Sequence, residues 1–114
     1  MFMLKKANYK ASVLVVNYNN EEHLSQCIES ILKQSYRNIE IILKEFDASL
    51  DNLIDETWFV TNMEECMNNV GEIFDLREEI FGCKPEVSQT LVEVSNLVDS
   101  KYKIEIKCIA YLED

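Results

Sequence analysis

Four cysteines, one histidine and two arginines are the residues of this chain with the most specific chemistry, and their spacing limits what they can do. Cys27, Cys66, Cys83 and Cys108 are widely separated, with no Cys-x-x-Cys pair, and His23 stands alone. A structural zinc site needs ligands grouped at short spacing, so no metal is expected. The cysteines read as reduced, mostly small apolar fillers of a cytoplasmic protein. A nucleophilic cysteine would need a neighbouring base, and the sequence supplies none. Glu105 and Lys107 stand in Lys103-Ile104-Glu105-Ile106-Lys107-Cys108, where charged and apolar residues alternate. In a strand such residues share a face, so the carboxylate and the ammonium would lie on the polar side, as solvated groups or as a salt bridge. Glu93 in Val92-Glu93-Val94 could be a cross-strand partner of Lys107 on the same grounds.

At 114 residues the chain reads as one domain, 47% hydrophobic and carrying a formal charge of −10. That charge repels phosphate backbones, and Lys5, Lys6 and Lys10 are its only basic cluster, so nucleic acid is not an expected partner. No apolar run is long enough to cross a membrane. The N-terminal apolar run is short and lacks a small-residue cleavage site, so no signal peptide is expected.

The elements follow from periodicity. Ala11 to Val16 reads as a buried strand, and Asn17 to Asn20 as a turn whose last residue could cap a helix. Leu24, Ile28, Ile31, Ser35, Ile39, Ile42 and Phe46 predict one amphipathic helix from Glu21 to Phe46. Ile39 to Leu43 also fits a strand after a break at Ser35 to Asn38, the competing reading of residues 34–47. Asp47 to Asn52 is a loop and Leu53 to Thr61 a strand. Met63 to Phe81 reads as a second helix, with Met67, Val70, Phe74, Arg77 and Phe81 as its stripe and Ile73 and Ile80 beside it. Gly82 and Pro85 end that helix. Thr90 to Val98 and Lys101 to Leu112 are two strands, joined closely enough for an antiparallel pair. The order β-α-β-α-β-β predicts an α+β fold, with two helices packed on one face of a sheet. The other face is partly polar and half-apolar, a pattern that a symmetric oligomer often covers.

Asn38 to Tyr111 adds a resemblance. Asn38-Ile39-Glu40-Ile41-Ile42, then ASLDNLIDETWFVTNME from Ala48 to Glu64, then Val92-Glu93-Val94, then KIEIKCIAYL from Lys103 to Leu112 stand in an order similar to that of the Rid (YjgF-type) reactive-intermediate deaminases. The resemblance implies a chorismate-mutase-like sheet with shortened N-terminal strands, a homotrimer with clefts between subunits, and no cofactor. It also implies hydrolysis of enamine or imine intermediates. In that chemistry an arginine grips the substrate carboxylate and a glutamate positions water or relays a proton. The glutamate falls on Glu105. The arginine falls on Gln89, three residues before Val92, and an amide carries no charge. Arg37 and Arg77 lie on predicted helices, away from that strand. Lys107 stands where the family often has a second glutamate and could replace the lost positive charge. The family's N-terminal substrate-contacting tyrosine has no counterpart, and its asparagine on the second helix falls near Gly71, with Asn69 close by.

Residues 12–43, SVLVVNYNNEEHLSQCIESILKQSYRNIEIIL, resemble the opening of a family-2 glycosyltransferase: a strand, a Tyr-Asn turn, a helix and a second strand. Leu43 runs on into Lys44-Glu45-Phe46-Asp47 instead of a nucleotide-binding acidic segment, and no Asp-x-Asp motif follows, so glycosyl transfer is not expected. The chain thus reads as a single domain, with residues 1–37 glycosyltransferase-like and 38–114 Rid-like. The expected function is an oligomeric Rid-like protein without arginine-dependent deaminase activity, holding a small carboxylate-bearing molecule where subunits meet. Gln89 and Lys107 are the candidate ligand residues and Glu105 the candidate catalytic one. An active imine hydrolase with another anion anchor is the first alternative, and an endoribonuclease or translation-inhibitor role the second.

Overall fold

The computed structural model describes residues 2–7, 10–18 and 28–112. Its elements are β1 (Phe2–Ala7), β2 (Lys10–Tyr18), α1 (Ile28–Lys44), β3 (Leu53–Val60), α2 (Met63–Asn68), α3 (Val70–Phe81), β4 (Ser88–Glu93) and β5 (Tyr102–Tyr111). One five-stranded sheet runs in the order β1-β2-β5-β3-β4. Every pair in it is antiparallel except β3 with β4, which is parallel. The α+β architecture with helices on one sheet face is the one expected.

The residues 39–43 ambiguity resolves as helix. Ile28, Ile31, Leu32, Ser35, Tyr36, Ile39, Ile42 and Leu43 are buried, whereas Ile41 is 54% exposed. A strand would have put Ile39, Ile41 and Leu43 on one face; the observed spacing of three and four is that of a helix. The helix ends at Lys44, short of the expected Phe46, in a turn where Asp47 adopts φ 55°. The expected helix start at Glu21 and the cap at Asn20 lie outside the described residues.

A short 3₁₀ turn, Leu50–Asn52, leads into β3 and is capped by Ser49, whose side chain accepts from Asp51 N–H. Asn52 Nδ2 donates to the Tyr111 carbonyl at 3.1 Å, tying that turn to the end of β5. Along β5, Ile104, Ile106, Cys108 and Ala110 are buried, while Glu105 is partly exposed and Lys107 exposed. Register sets Cys108 opposite Glu56, Ile106 opposite Trp58 and Ile104 opposite Val60, so these six side chains face the helices.

Three further features differ from the sequence expectation. β1 is an extra strand, paired with β2 from Phe2↔Val15 to Ala7↔Lys10. Lys5 and Lys6 interrupt its apolar pattern, so periodicity alone did not mark it. The expected helix over residues 63–81 is broken at Asn69, with φ −114° and ψ 12°, whose side chain donates to the Glu65 carbonyl at 2.8 Å. The break shifts the buried stripe to Cys66, Ile73 and Arg77, leaving Met67 50% and Phe74 48% exposed. The helix stops at Gly82 as its sequence predicts, with φ 76° in the left-handed region. Finally, β4 spans Ser88–Glu93 and does not pair with β5, because β3 lies between them. Glu93 therefore cannot pair across strands with Lys107, and its Oε1 instead accepts the Met63 N–H at 2.9 Å at the start of α2.

Candidate functional site

The three residues expected at the site do not meet within one chain. Glu105 lies opposite Phe59 on β3 and Val16 on β2, and Lys107 opposite Thr57 and Leu14. Both therefore occupy the helix-free face. Gln89 lies opposite Glu56, on the helix side of β4, at the sheet edge. Glu105 is partly buried, and that burial pushes its carboxyl above the usual range. A groove of about 500 Å³ runs beside Leu50, Asp51, Leu53, Ile54, Phe81 and residues 83–87, and a pocket of about 320 Å³ lies beside Phe46, Asp47, Asn52 and Tyr111; neither is lined by Gln89, Glu105 or Lys107.

The most densely interacting polar group is one the sequence reading missed. Glu56 on β3 and Tyr36 on α1 are 0% exposed, and Arg77 on α3 is 6% exposed. Arg77 Nε donates to Glu56 Oε1 at 2.7 Å and to the Tyr36 hydroxyl oxygen at 3.3 Å. The Tyr36 hydroxyl reaches both Glu56 oxygens, at 3.1 and 3.0 Å. Cys108 Sγ lies 3.9 Å from Glu56 Oε2. The Arg77 guanidinium stacks over Phe81, 5.2 Å from the ring centroid, and Phe81 meets Tyr36 edge-on. Among the described residues Arg77 Nη2 is buried without a hydrogen-bond partner, and the buried Trp58 indole N–H helps to hold the Glu56 carboxyl down. One signal of this cluster was present in the sequence: an arginine on the apolar stripe of a helix.

Burial raises the Glu56 carboxyl, and the opposing pull of Arg77 and the hydrogen bonds from Tyr36, Arg77 and Trp58 do not cancel it. Tyr36 is raised well above its usual value by burial and by Glu56, so it stays a neutral donor. Cys108 is pushed up by burial and by Glu56, which leaves it an inert thiol. Burial likewise raises Cys66, whereas Cys83 is exposed. Among the described residues no group of His, Cys, Asp and Glu is arranged to hold a metal ion, and no helix is long and apolar enough to cross a membrane.

A carboxyl whose folded pKa lies above its unfolded value binds its proton more tightly in the folded state. Its contribution is thus greatest below pH 4.5, the unfolded value, and is lost as pH rises through the folded pKa. Glu105 acts with the same sign, more weakly because it is more exposed. Glu29, lowered by Lys33, has the opposite sign but is fully exposed. Mild acid also relieves repulsion within a chain of net charge −10. The denaturant midpoint is therefore expected to be higher near pH 5 than near pH 8; a midpoint that falls on acidification would show that Arg77 outweighs burial at Glu56.

A five-stranded sheet with helices on one face and a second face open along β5 defines an α+β domain of the YjgF type. The family profile for endoribonuclease L-PSP matches residues 9–112, and the chain belongs to this family, the YjgF/Rid family. The match begins well before Asn38 and takes in β2. Solved structures agree on the fold. Rv2704 of Mycobacterium tuberculosis, a member of the YjgF/YER057c/UK114 family, superposes with TM-score 0.70 at 21% identity, covering 94% of this chain and 82% of that one. YyfA of Yersinia pestis, from the Rid family, gives 0.74 at 23%, covering 96% and 85%, and yeast Mmf1 gives 0.74 at 22% with the same coverage. The second resemblance also recurs, in short pieces. Glycosyltransferase GlyG of Streptococcus pneumoniae is 56% identical over 41 residues, 36% of this chain and 13% of that protein. GlyA of the same organism is 45% identical over 42 residues, 37% of this chain and 6% of that protein. The chain thus spans only a small fraction of the length of these curated relatives.

Proposed function

We propose that this chain is a cytoplasmic Rid-family scaffold that has lost arginine-dependent hydrolysis of enamines and imines, assembles as a homotrimer, and holds a small carboxylate-bearing molecule where copies meet. The observation that carries this reading is Gln89, at the place where the resemblance puts the anchoring arginine. An amide can donate a hydrogen bond to a carboxylate, but not the charge-assisted, two-pronged grip of a guanidinium. Neither arginine substitutes for it. Arg77 is committed to Glu56 inside the core, and Arg37 is exposed on α1. Gln89 and Glu105 also lie on opposite faces of one sheet, so only a neighbouring copy could bring them to one ligand. Sedimentation equilibrium is expected to give the mass of three chains, and calorimetric titration with pyruvate a saturable heat that Gln89→Ala removes. A monomer, or a heat unchanged by the substitution, contradicts the assignment.

One observation favours an active imine hydrolase instead. Lys107 is exposed on the same face as Glu105, two positions along β5, where an ammonium could anchor the substrate carboxylate. In that case Lys107→Ala would abolish a measurable hydrolysis. The family's endoribonuclease description supports a nuclease or translation-inhibitor role, against which stands the net charge of −10.

A further inference from the structure

The buried cluster plays no part in the reading above, and it sits at the joint between α3 and the sheet. Ile73 and Arg77 are the only fully buried residues of α3, with Leu76, Ile80 and Phe81 packed more loosely against the core. The contact of Arg77 with Glu56 and Tyr36 is the polar tie that joins this helix to β3 and α1. Glu56 is held differently. Tyr36 of α1 reaches both of its oxygens, and Cys108 of β5 lies against the second. If α3 lifts, Arg77 leaves with it while Glu56 stays beneath α1.

We propose that Glu56 and Arg77 form a proton-operated latch, in which protonation of Glu56 lets α3 lift locally while α1 and the sheet remain folded. The groups facing Glu56 are Tyr36 from α1, Arg77 from α3, Cys108 from β5 and the neutral Trp58 indole of its own strand, while β4 sets the uncharged Gln89 at the paired position. Arg77 is the one cation among these. Tyr36 and Cys108 stay neutral, so Glu56 is the group that titrates. With α3 lifted, Glu56 loses both the cover of α3 and Arg77, the main influence favouring its charge, but keeps the Tyr36 hydroxyl and the cover of α1, so the latch requires the loss of Arg77 to outweigh the added water. The lifted state then binds the proton more tightly than the docked state, and each pKa unit of that difference changes the lifting equilibrium about tenfold. The sign is opposite to that for global unfolding, which carries Glu56 into water. Because α3 runs through Gly82 into the edge strand bearing Gln89, the latch would act on that strand.

Native-state hydrogen exchange of the full chain tests this, with protection factors corrected for intrinsic exchange and compared near pH 7.5 and near pH 5. Amides of residues 73–81 are expected to lose about tenfold or more of their protection in acid, while those of β5 hold or gain. Glu56→Gln, fixed neutral, is expected to show the lowered α3 protection at both pH values. Protection of α3 that is unchanged, that rises in acid, or that moves in step with β5 overturns the proposal. If Glu56→Gln does not fold, the wild-type comparison of α3 with β5 decides by itself.

Discussion

Arg77→Met is expected to destabilise the fold by about 3–5 kcal/mol near neutral pH, the usual cost of removing one partner from a buried ion pair. Methionine fills much of the space of the arginine stem and keeps the helix propensity, so the loss is electrostatic rather than a cavity or a broken helix. Glu56 is left 0% exposed with the Tyr36 hydroxyl, the Trp58 indole and a thiol against its carboxylate, and no cation. Loss of Arg77 also removes the largest influence holding its pKa down, so the carboxyl rises further. Part of the stability should accordingly return as pH falls and the proton goes on. Urea unfolding near pH 7.5 and near pH 5 reads both effects. A loss below about 1 kcal/mol, typical of exposed pairs, would mean that solvent reaches the cluster.

The second large effect has the opposite sign. Replacing the whole cluster with apolar groups, Tyr36→Phe, Glu56→Leu and Arg77→Met together, is expected to be neutral or to stabilise by about 1–4 kcal/mol. Each substitution nearly conserves volume, and together they leave no member of the trio without a partner. The triple variant would also lose the Glu56 part of the pH dependence. Differential scanning calorimetry of this variant beside Arg77→Met gives the comparison. If the triple variant is as unstable as the single one, the damage comes from packing around Phe81 and Trp58 rather than from unpaired charge.

Much of the fold was legible because its alternation is strong. Ile104, Ile106 and Cys108 facing in, with Glu105 and Lys107 facing out, could be read from order alone, as could the stop at Gly82. Ile39 to Leu43 was harder: the run fits two periods, and the deciding fact is that Ile41 points away from the core. Asn69 hid a helix break because an asparagine within an otherwise helical run carries no phase information. β1 was illegible because its lysines mask the pairing that makes it a strand. The Tyr36–Glu56–Arg77 cluster was out of reach for a different reason. Its members come from three elements, 20 and 21 residues apart along the chain, and no local pattern records that they converge. The candidate site residues came from family resemblance, and their opposite placement on the sheet emerged only from strand register.

Gln89, in place of the anchoring arginine, is expected to leave this Rid-family chain without arginine-dependent hydrolysis. The direct measurement is the rate at which the purified, folded protein hydrolyses a freshly generated imino acid, against a control without protein. The two rates are expected to match. Clear acceleration that Glu105→Gln abolishes would contradict this and move the anion anchor to Lys107.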